Sequence, residues 1–459
     1  MKNSEIVINH REKYRHIVRD ILGLLLVLGE GLLFYYFWTE FLNPFARNPY
    51  VSTGNFFLLG VYICLTLVFS SIYGGLKLGY YRLLDIILSQ TVCAVVLNTV
   101  VYFAVVIPIA TWYLSPLPLI VMTLADIIWI ILWSVAGNWI FSRLFPPQRL
   151  VVIYTRESDL LAAKFADRTD RYKIIKKIRM TDAKAAADSC VGYDGAVIGD
   201  IPAGLRNDLL KRCYSLGIRT YTLPKLSDVI LKGSEILNIF DSPVFLNRNY
   251  GLTIEQEFVK RVFDLVVSGI GILLCSPLLL LTAAAIKLDD GGPVFFRQKR
   301  CTRGGREFEI IKFRSMIVDA EAAGIAVPAT EHDPRITRVG RMIRATRIDE
   351  LPQLFNIFKG DMSVVGPRPE RIEHVRKYTE EIPEFRYRML VKGGLTGYAQ
   401  IYGKYNTLPY DKLKLDLLYI QNYSLLLDIS LILQTLKVIF MKESTEGFDE
   451  NRSKEMGEK

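Results

Sequence analysis

Four apolar runs dominate the first third of the chain: Ile21–Trp38, Phe56–Tyr73, Leu83–Ile109 and Leu117–Phe141. Each holds about 18 residues or more, enough for a helix to cross a hydrocarbon layer of about 30 Å with its backbone bonds satisfied internally. Lys2, Arg11, Lys13, Arg15 and Arg19 precede the first run, Lys77 and Arg82 separate the second from the third, and Arg143 and Arg149 follow the fourth. The other two loops share only Arg47. The cation bias of short loops therefore places both ends of a four-helix unit in the cytoplasm. The first run lacks a small-residue cleavage site and three spans follow it, so it reads as a span and not a removable signal. Glu30 and Asp126 fall inside spans, where hydrogen bonding to Gln90 or Asn98 of the third helix is the simplest use for them.

From Arg149 the period changes. LVVIYT (150–155), KIIKKI (173–178), GAVIG (195–199) and IRTYTL (218–223) read as strands with helical stretches between them. Such alternation predicts a small parallel, Rossmann-like sheet. Thr155-Arg156-Glu157-Ser158 stand where a dinucleotide binder would place G-x-G-x-x-G, so this module is expected to be structural or regulatory.

A fifth apolar run, Val262–Ile286, is interrupted at its middle by Ser276-Pro277. Lys260 and Arg261 precede it, and Lys287, Arg297, Lys299 and Arg300 follow. Proline removes a helical hydrogen bond and bends the axis. Cations at both ends keep both on one side of a membrane. A bent helix that enters and leaves by the same face is expected. Leu425–Met441, interrupted by Asp428, Gln434 and Lys437, reads as an interfacial helix.

Composition sharpens this picture. Hydrophobic residues make up 51% of the 459 and aromatics 12%, which excludes a disordered chain. The mean hydropathy, +0.23, is too mild for a protein made only of spans. Six cysteines without a C-x-x-C pair indicate neither a zinc site nor a disulfide framework. The net charge is +10, and twelve Lys/Arg lie between Arg297 and Arg347 against six acids. That density suits phosphates or anionic headgroups. Nucleic acid fits poorly, since the segment is held at a membrane and carries no recognised binding motif.

The basic stretch leads into RATRIDELPQLFNIFKGDMS (344–363). Asp349 suits an N-cap with Pro352 in the first turn, and Leu351, Leu354, Phe355 and Phe358 have the spacing of an apolar helical stripe. Asp349 and Glu350 would then sit at a helix N-terminus, which keeps a carboxylate ionised and attracts phosphate oxygens. Acid pairs at helix starts usually serve only as caps, so spacing alone does not make this one catalytic.

KRVFDLVVSGIGILLCSPLLL, GGPVFFRQKR, FEIIKFRSM, RIDELPQLFNIFKGDMSVVGPRPE and GLTGYAQIYGK follow in order over about 180 residues. This series resembles the catalytic domain of the monotopic phosphoglycosyl transferases, bacterial polyprenyl-phosphate sugar phosphotransferases. Four N-terminal spans and a degenerate Rossmann-like insert resemble the large form of that family, which starts exopolysaccharide, capsule or O-antigen repeat units. The resemblance implies a four-span transmembrane domain (1–148), a degenerate Rossmann-like α/β domain (149–250), a mainly α catalytic domain with a re-entrant membrane helix (251–443) and a polar tail (444–459). Residue by residue, it implies that Asp349 is the nucleophile, Glu350 its catalytic partner, Arg344 an active-site arginine and Lys312 a supporting lysine. Arg368, between Pro367 and Pro369, corresponds to a phosphate-binding arginine, and Ser276-Pro277 to the break in the re-entrant helix. Arg297, Arg314 and Lys404 are further candidate phosphate contacts. Asp349 and Glu350 are the candidate ligands of a Mg²⁺ ion. The chain departs from the commonest family pattern at Thr302 (often Gly), Gly393 (often Pro) and Lys404 (often Arg). The first two are expected to alter loop stiffness only.

The implied reaction moves a sugar 1-phosphate from a UDP-sugar to polyprenyl phosphate through a phosphosugar-aspartate, releasing UMP. Implied partners are these two substrates, membrane lipid, a second copy of the chain and polysaccharide-assembly proteins. The implied location is the bacterial inner membrane, multi-pass, with the catalytic domain on the cytoplasmic face. Two alternatives are a membrane glycosyltransferase that releases UDP, which would want an Asp-x-Asp motif that the second half lacks, and a non-catalytic assembly scaffold. Glucose, galactose and N-acetylated hexoses all remain open as the sugar.

Overall fold

The computed structural model describes residues 10–109, 115–155, 160–247, 251–318, 333–403 and 407–439. Lys404 and the polar tail 444–459 lie outside them. The chain forms two compact units, Met1–Pro224 and Lys225–Lys459.

In the first unit each apolar run becomes a helix. These are α1 (His10–Phe37), α2 (Ser52–Tyr73), α3 (Leu83–Val101), which continues through a π turn (Tyr102–Val106) into α4 (Ile107–Ile109), and α5 (Leu117–Leu144). α1 packs on α2 and α5, and α3 packs on the same two. α2, the stretch Leu83–Val106 and α5 are each long and apolar enough to cross a membrane. Phe34, Trp38, Tyr62, Leu97 and Met122 fill one end of the interior, while Phe57, Leu84 and Ile128 lie exposed on the outside. Asn98 donates to Asp126 at 2.8 Å and accepts from the Tyr62 hydroxyl at 2.9 Å, the interhelical bonding expected of that acid. Glu30 is also buried, and its Oε1 meets no hydrogen-bond partner among the described residues.

The same unit carries a parallel sheet of β1 (Gln148–Tyr154), β2 (Tyr172–Arg179), β3 (Gly195–Ile198) and β4 (Thr220–Thr222), in the order β2-β1-β3-β4. Along β1, Val151 and Ile153 turn to one core and Leu150 and Val152 to another, because side chains alternate between sheet faces. α6 (Leu160–Ala166) covers the second face. α7 (Ala183–Asp188) and α8 (Ala203–Ser215) cover the first. Covering both faces is what lets a strand run continuously apolar.

The second unit begins with α9 (Leu226–Lys232) and the hairpin β5 (Glu235–Ile239)–β6 (Ser242–Leu246). The long α10 (Ile254–Asp290) and the hairpin β7 (Phe295–Cys301)–β8 (Glu307–Phe313) follow. Then come α11 (Arg338–Ala345), α12 (Gln353–Lys359), β9 (Ser363–Val365), α13 (Ile372–Glu381) and β10 (Gly394–Thr396), which pairs parallel with β9. α14 (Tyr398–Tyr402), α15 (Pro409–Gln421) and α16 (Leu425–Ile439) complete it. Ile357, Met362, Val365, Phe385, Leu413, Leu417 and Leu431 share its main core.

α10 opens on a capping box between Thr253 and Gln256 and closes at Gly291, which takes the left-handed φ of 72°. It is long and apolar enough to cross a membrane. The helical run continues through Ser276-Pro277, where the bend is expected. The N–H that Pro277 lacks would have met the Leu273 carbonyl, and the Ser276 hydroxyl donates to that carbonyl at 2.8 Å instead. Near the start of α10, Lys260 does not sit as a flanking surface cation. It is buried, donating to Asp428 at 2.6 Å and to the Tyr419 hydroxyl at 3.0 Å. Asp428, a polar interruption of an apolar run, is thereby an inward-facing residue of α16. Asp264 accepts from the Ser363 hydroxyl and the Val364 N–H, each at 2.9 Å.

Candidate active site

Lys312 stands on β8 opposite Phe296, whereas Arg297 stands opposite Ile311. Neighbouring strand positions point to opposite faces, so Lys312 and Arg297 part company. Arg297 lies 64% exposed beside Glu309 at 3.7 Å. Lys312 turns inward to the acid pair.

That pair is presented by a tight turn and not by a helix start. α11 ends at Ala345 with Thr346 as its C-cap, Arg347 adopts a left-handed φ of 59°, and a 3₁₀ turn covers Ile348–Glu350. The left-handed conformation costs a side-chain-bearing residue about 1 kcal/mol, so the packing around Arg347 must hold it there. α12 begins only at Gln353, with Pro352 as its N-cap, and Asp349 therefore caps nothing. Its Oδ1 is buried with no hydrogen-bond partner among the described residues. The apolar stripe divides as well: Leu354 enters the core, but Phe355 and Phe358 are exposed. Asn356, inside the stripe, is buried and extends the β8 edge. It accepts from Ile311 N–H at 3.0 Å and donates to the Glu309 carbonyl at 2.8 Å. A lone Asn at a buried position of an apolar stripe was the available signal.

Glu350 Oε1 accepts from Lys312 Nζ at 2.7 Å and from Arg368 Nη2 at 2.9 Å. Burial pushes the Glu350 carboxyl up, but Arg368 and Lys312 outweigh it and hold the group well below the usual glutamate range. Arg368 is pushed up in return by Glu350. The Lys312 ammonium is pulled down, chiefly by burial. Asp349 moves the other way. Burial and the Glu350 charge raise it, against the pull of Lys312, Arg347 and Arg344. Two adjacent carboxyls are thus driven apart in acidity by their surroundings.

The remaining candidates separate clearly. Arg344, in the last turn of α11, lies within electrostatic reach of Asp349. Pro367 and Pro369 flank Arg368 with their carbonyls tied to Gly394 N–H at 2.9 Å and to Arg300 at 3.5 Å. Arg314 lies elsewhere, buried at the end of α10. It grips both oxygens of Asp290 and donates from Nε to the Pro293 carbonyl at 2.6 Å, so its donors are already engaged.

A Mg²⁺ ion can be tested against this donor set. Asp349 Oδ1 is a buried carboxylate oxygen without a partner, which suits a hard cation. Glu350 Oε1 already carries two cationic donors and is a poor ligand as it stands. No group of three or more His, Cys, Asp or Glu that could hold a metal occurs among the described residues. Mg²⁺ binds through one or two carboxylates plus substrate phosphates, so a site resting on Asp349 fits.

The family model for bacterial sugar transferases matches residues 255–442. The chain is 39% identical over 264 residues to the UDP-N-acetylgalactosamine-undecaprenyl-phosphate N-acetylgalactosaminephosphotransferase of Aeromonas hydrophila, covering 54% of this chain and 59% of that one. It is 38% identical over 245 residues to a UDP-glucose:undecaprenyl-phosphate glucose-1-phosphate transferase of Xanthomonas campestris pv. campestris, covering 51% of each. A transferase of the same description from Caulobacter vibrioides is 44% identical over 181 residues, 38% of this chain and 67% of that one. The match thus spans little more than half the length of the first two relatives. With the match to the Caulobacter protein covering two thirds of its length, the chain belongs to the bacterial sugar transferase family.

Proposed function

We propose that the chain transfers a sugar 1-phosphate from a UDP-sugar to polyprenyl phosphate, with Asp349 as nucleophile and UMP as the first product. The carrying observation is the unpartnered Oδ1 of Asp349 beside a carboxylate whose charge is already balanced. Ionised Asp349 attacks the β-phosphorus of the donor, the bond to UMP breaks, and a phosphosugar-aspartate forms. The phosphate of the acceptor then attacks that intermediate, restoring Asp349. Arg344 and Arg368 stabilise charge on the transferring phosphoryl group, and Lys312 holds Glu350 in place. Mg²⁺ held by Asp349 and the donor phosphates would supply further charge neutralisation. The names of these relatives support an undecaprenyl phosphate acceptor and put UDP-N-acetylgalactosamine and UDP-glucose first among donors to try.

The reading places α10 in the membrane as a re-entrant helix. Its support is that Lys260 and Asp264 at one end, and Asp290 at the other, all bond within the second unit, which a helix delivering its far end across a bilayer would not allow. The three-domain division, a location on the cytoplasmic face of the inner membrane, a dimer and assembly partners belong to the same proposal, with the Rossmann-like module as a structural or regulatory element. Membranes carrying the protein, given a panel of UDP-sugars and polyprenyl phosphate, should release UMP. Release of UDP without UMP would refute the reading.

A further inference from the structure

The segment Pro367–Glu370 carries four carbonyls but, with two prolines, only two N–H groups, so it cannot keep its shape through a hydrogen-bond ladder of its own. Each carbonyl is met from elsewhere in the unit. Gly394 N–H donates to Pro367 at 2.9 Å, Arg388 Nη2 to Arg368 at 3.0 Å, Arg300 to Pro369 at 3.5 Å and Cys301 N–H to Glu370 at 3.1 Å. Of these donors, Arg388 is the one that holds Arg368 itself.

Arg388 is 3% exposed and Asp416, on α15, is 1% exposed. Arg388 Nε donates to Asp416 Oδ2 at 2.9 Å, and its Nη1 lies 3.5 Å from Glu370, which Lys412 also grips. Among the described residues, neither Arg388 nor Asp416 bonds to Asp349 or Glu350. A buried ion pair returns little net stability, since its desolvation offsets the attraction. What the planar fork of Arg388 does supply is orientation, because it ties a main-chain carbonyl and a carboxylate into one fixed geometry.

We infer that Arg388, held by Asp416, is a positioning residue that aims the Arg368 guanidinium at the reacting phosphates. The chain of contacts runs Asp416–Arg388–Arg368–Glu350, from α15 to the acid pair. This inference rests on the proposed transfer reaction, and its test separates the two.

UMP release by the unaltered protein tests the reaction first. Arg388→Lys keeps the charge but cannot bridge both acceptors. It should lower kcat about ten- to hundredfold, the scale of a small misplacement, with the donor KM changed less than about threefold. In an Arg368→Lys background the same change should add less than about twofold, because its effect passes through Arg368. Asp416→Asn should repeat the pattern, and it replaces Arg388→Lys if that variant does not yield folded protein. An unchanged kcat, or losses that multiply in the Arg368→Lys background, would overturn the inference. Should the unaltered protein release no UMP, the reaction reading fails, and the same cycle read as UDP affinity still decides the positioning role.

Discussion

Lys312 donates to Glu350, and not to Asp349, over 2.7 Å. Because Arg368 shares the same oxygen, Glu350 is doubly balanced while its neighbour carries the burden of burial. The pair is therefore unequal before any substrate arrives.

Asp349→Asn is close to isosteric and removes only the carboxylate that the proposed reaction uses as nucleophile. UMP release should fall by about a thousandfold or more. A phosphosugar adduct, seen by intact mass after the unaltered protein meets donor alone, should vanish. Persistence of full activity would remove Asp349 from the mechanism.

Acidity should shape activity through Asp349. The proposed reaction uses its ionised form, and its folded value lies above the ordinary 3.8. Activity should accordingly fall, as pH drops, at a point above 3.8, read from the pH–rate profile of UMP release.

Glu350 bears on stability with the opposite sign. Its folded value is held well below 4.5, so its contribution is present above 4.5 and lost as pH falls from there towards the folded value. The melting temperature of Glu350→Gln should be lower than that of the unaltered protein at pH 7, and should change less between about pH 5 and pH 3.

Ser276 and Pro277 should behave as a pair. Ser276→Ala leaves the Leu273 carbonyl bare and should cost about 1 kcal/mol of stability in detergent. In a Pro277→Ala background, where an N–H is available again, the same change should cost nothing measurable. Equal losses in both backgrounds would show that the hydroxyl does not stand in for the missing N–H, and no loss in either would show it to be idle.

Arg297 and Arg314 should part in their phenotypes. Arg297→Ala should leave UMP release within about twofold, as expected of an exposed ion pair. Arg314→Lys loses the fork that grips Asp290 and should lower the melting temperature.

Much of the architecture was legible because length and period carry it: apolar runs of span length became helices, and alternating segments became β1 to β4. The acid pair was legible through an ordered series of motifs, but its geometry was not. Nothing local announces that Arg347 is left-handed, that Asp349 caps no helix, or that Lys260 meets Asp428 across 168 positions. Thr302 and Gly393 show the limit well. Read separately, they predict adjustments of loop stiffness only. In the fold, Gly393 N–H donates to the Thr302 hydroxyl at 3.1 Å. Proline at 393 would have no N–H to give and glycine at 302 no hydroxyl to receive it, so the two departures answer each other.

The fastening of α10 at both ends has a consequence for how the protein must be handled. The helix is at once the most lipid-like element of the second unit and a strut between its two sides, from Lys260 to Asp290. Whatever solvates the exposed leucines at its middle is thereby coupled to the seat of the acid pair. In the proposed placement, bilayer thickness and the choice of detergent become variables of the acid pair's geometry, on the same footing as pH or salt.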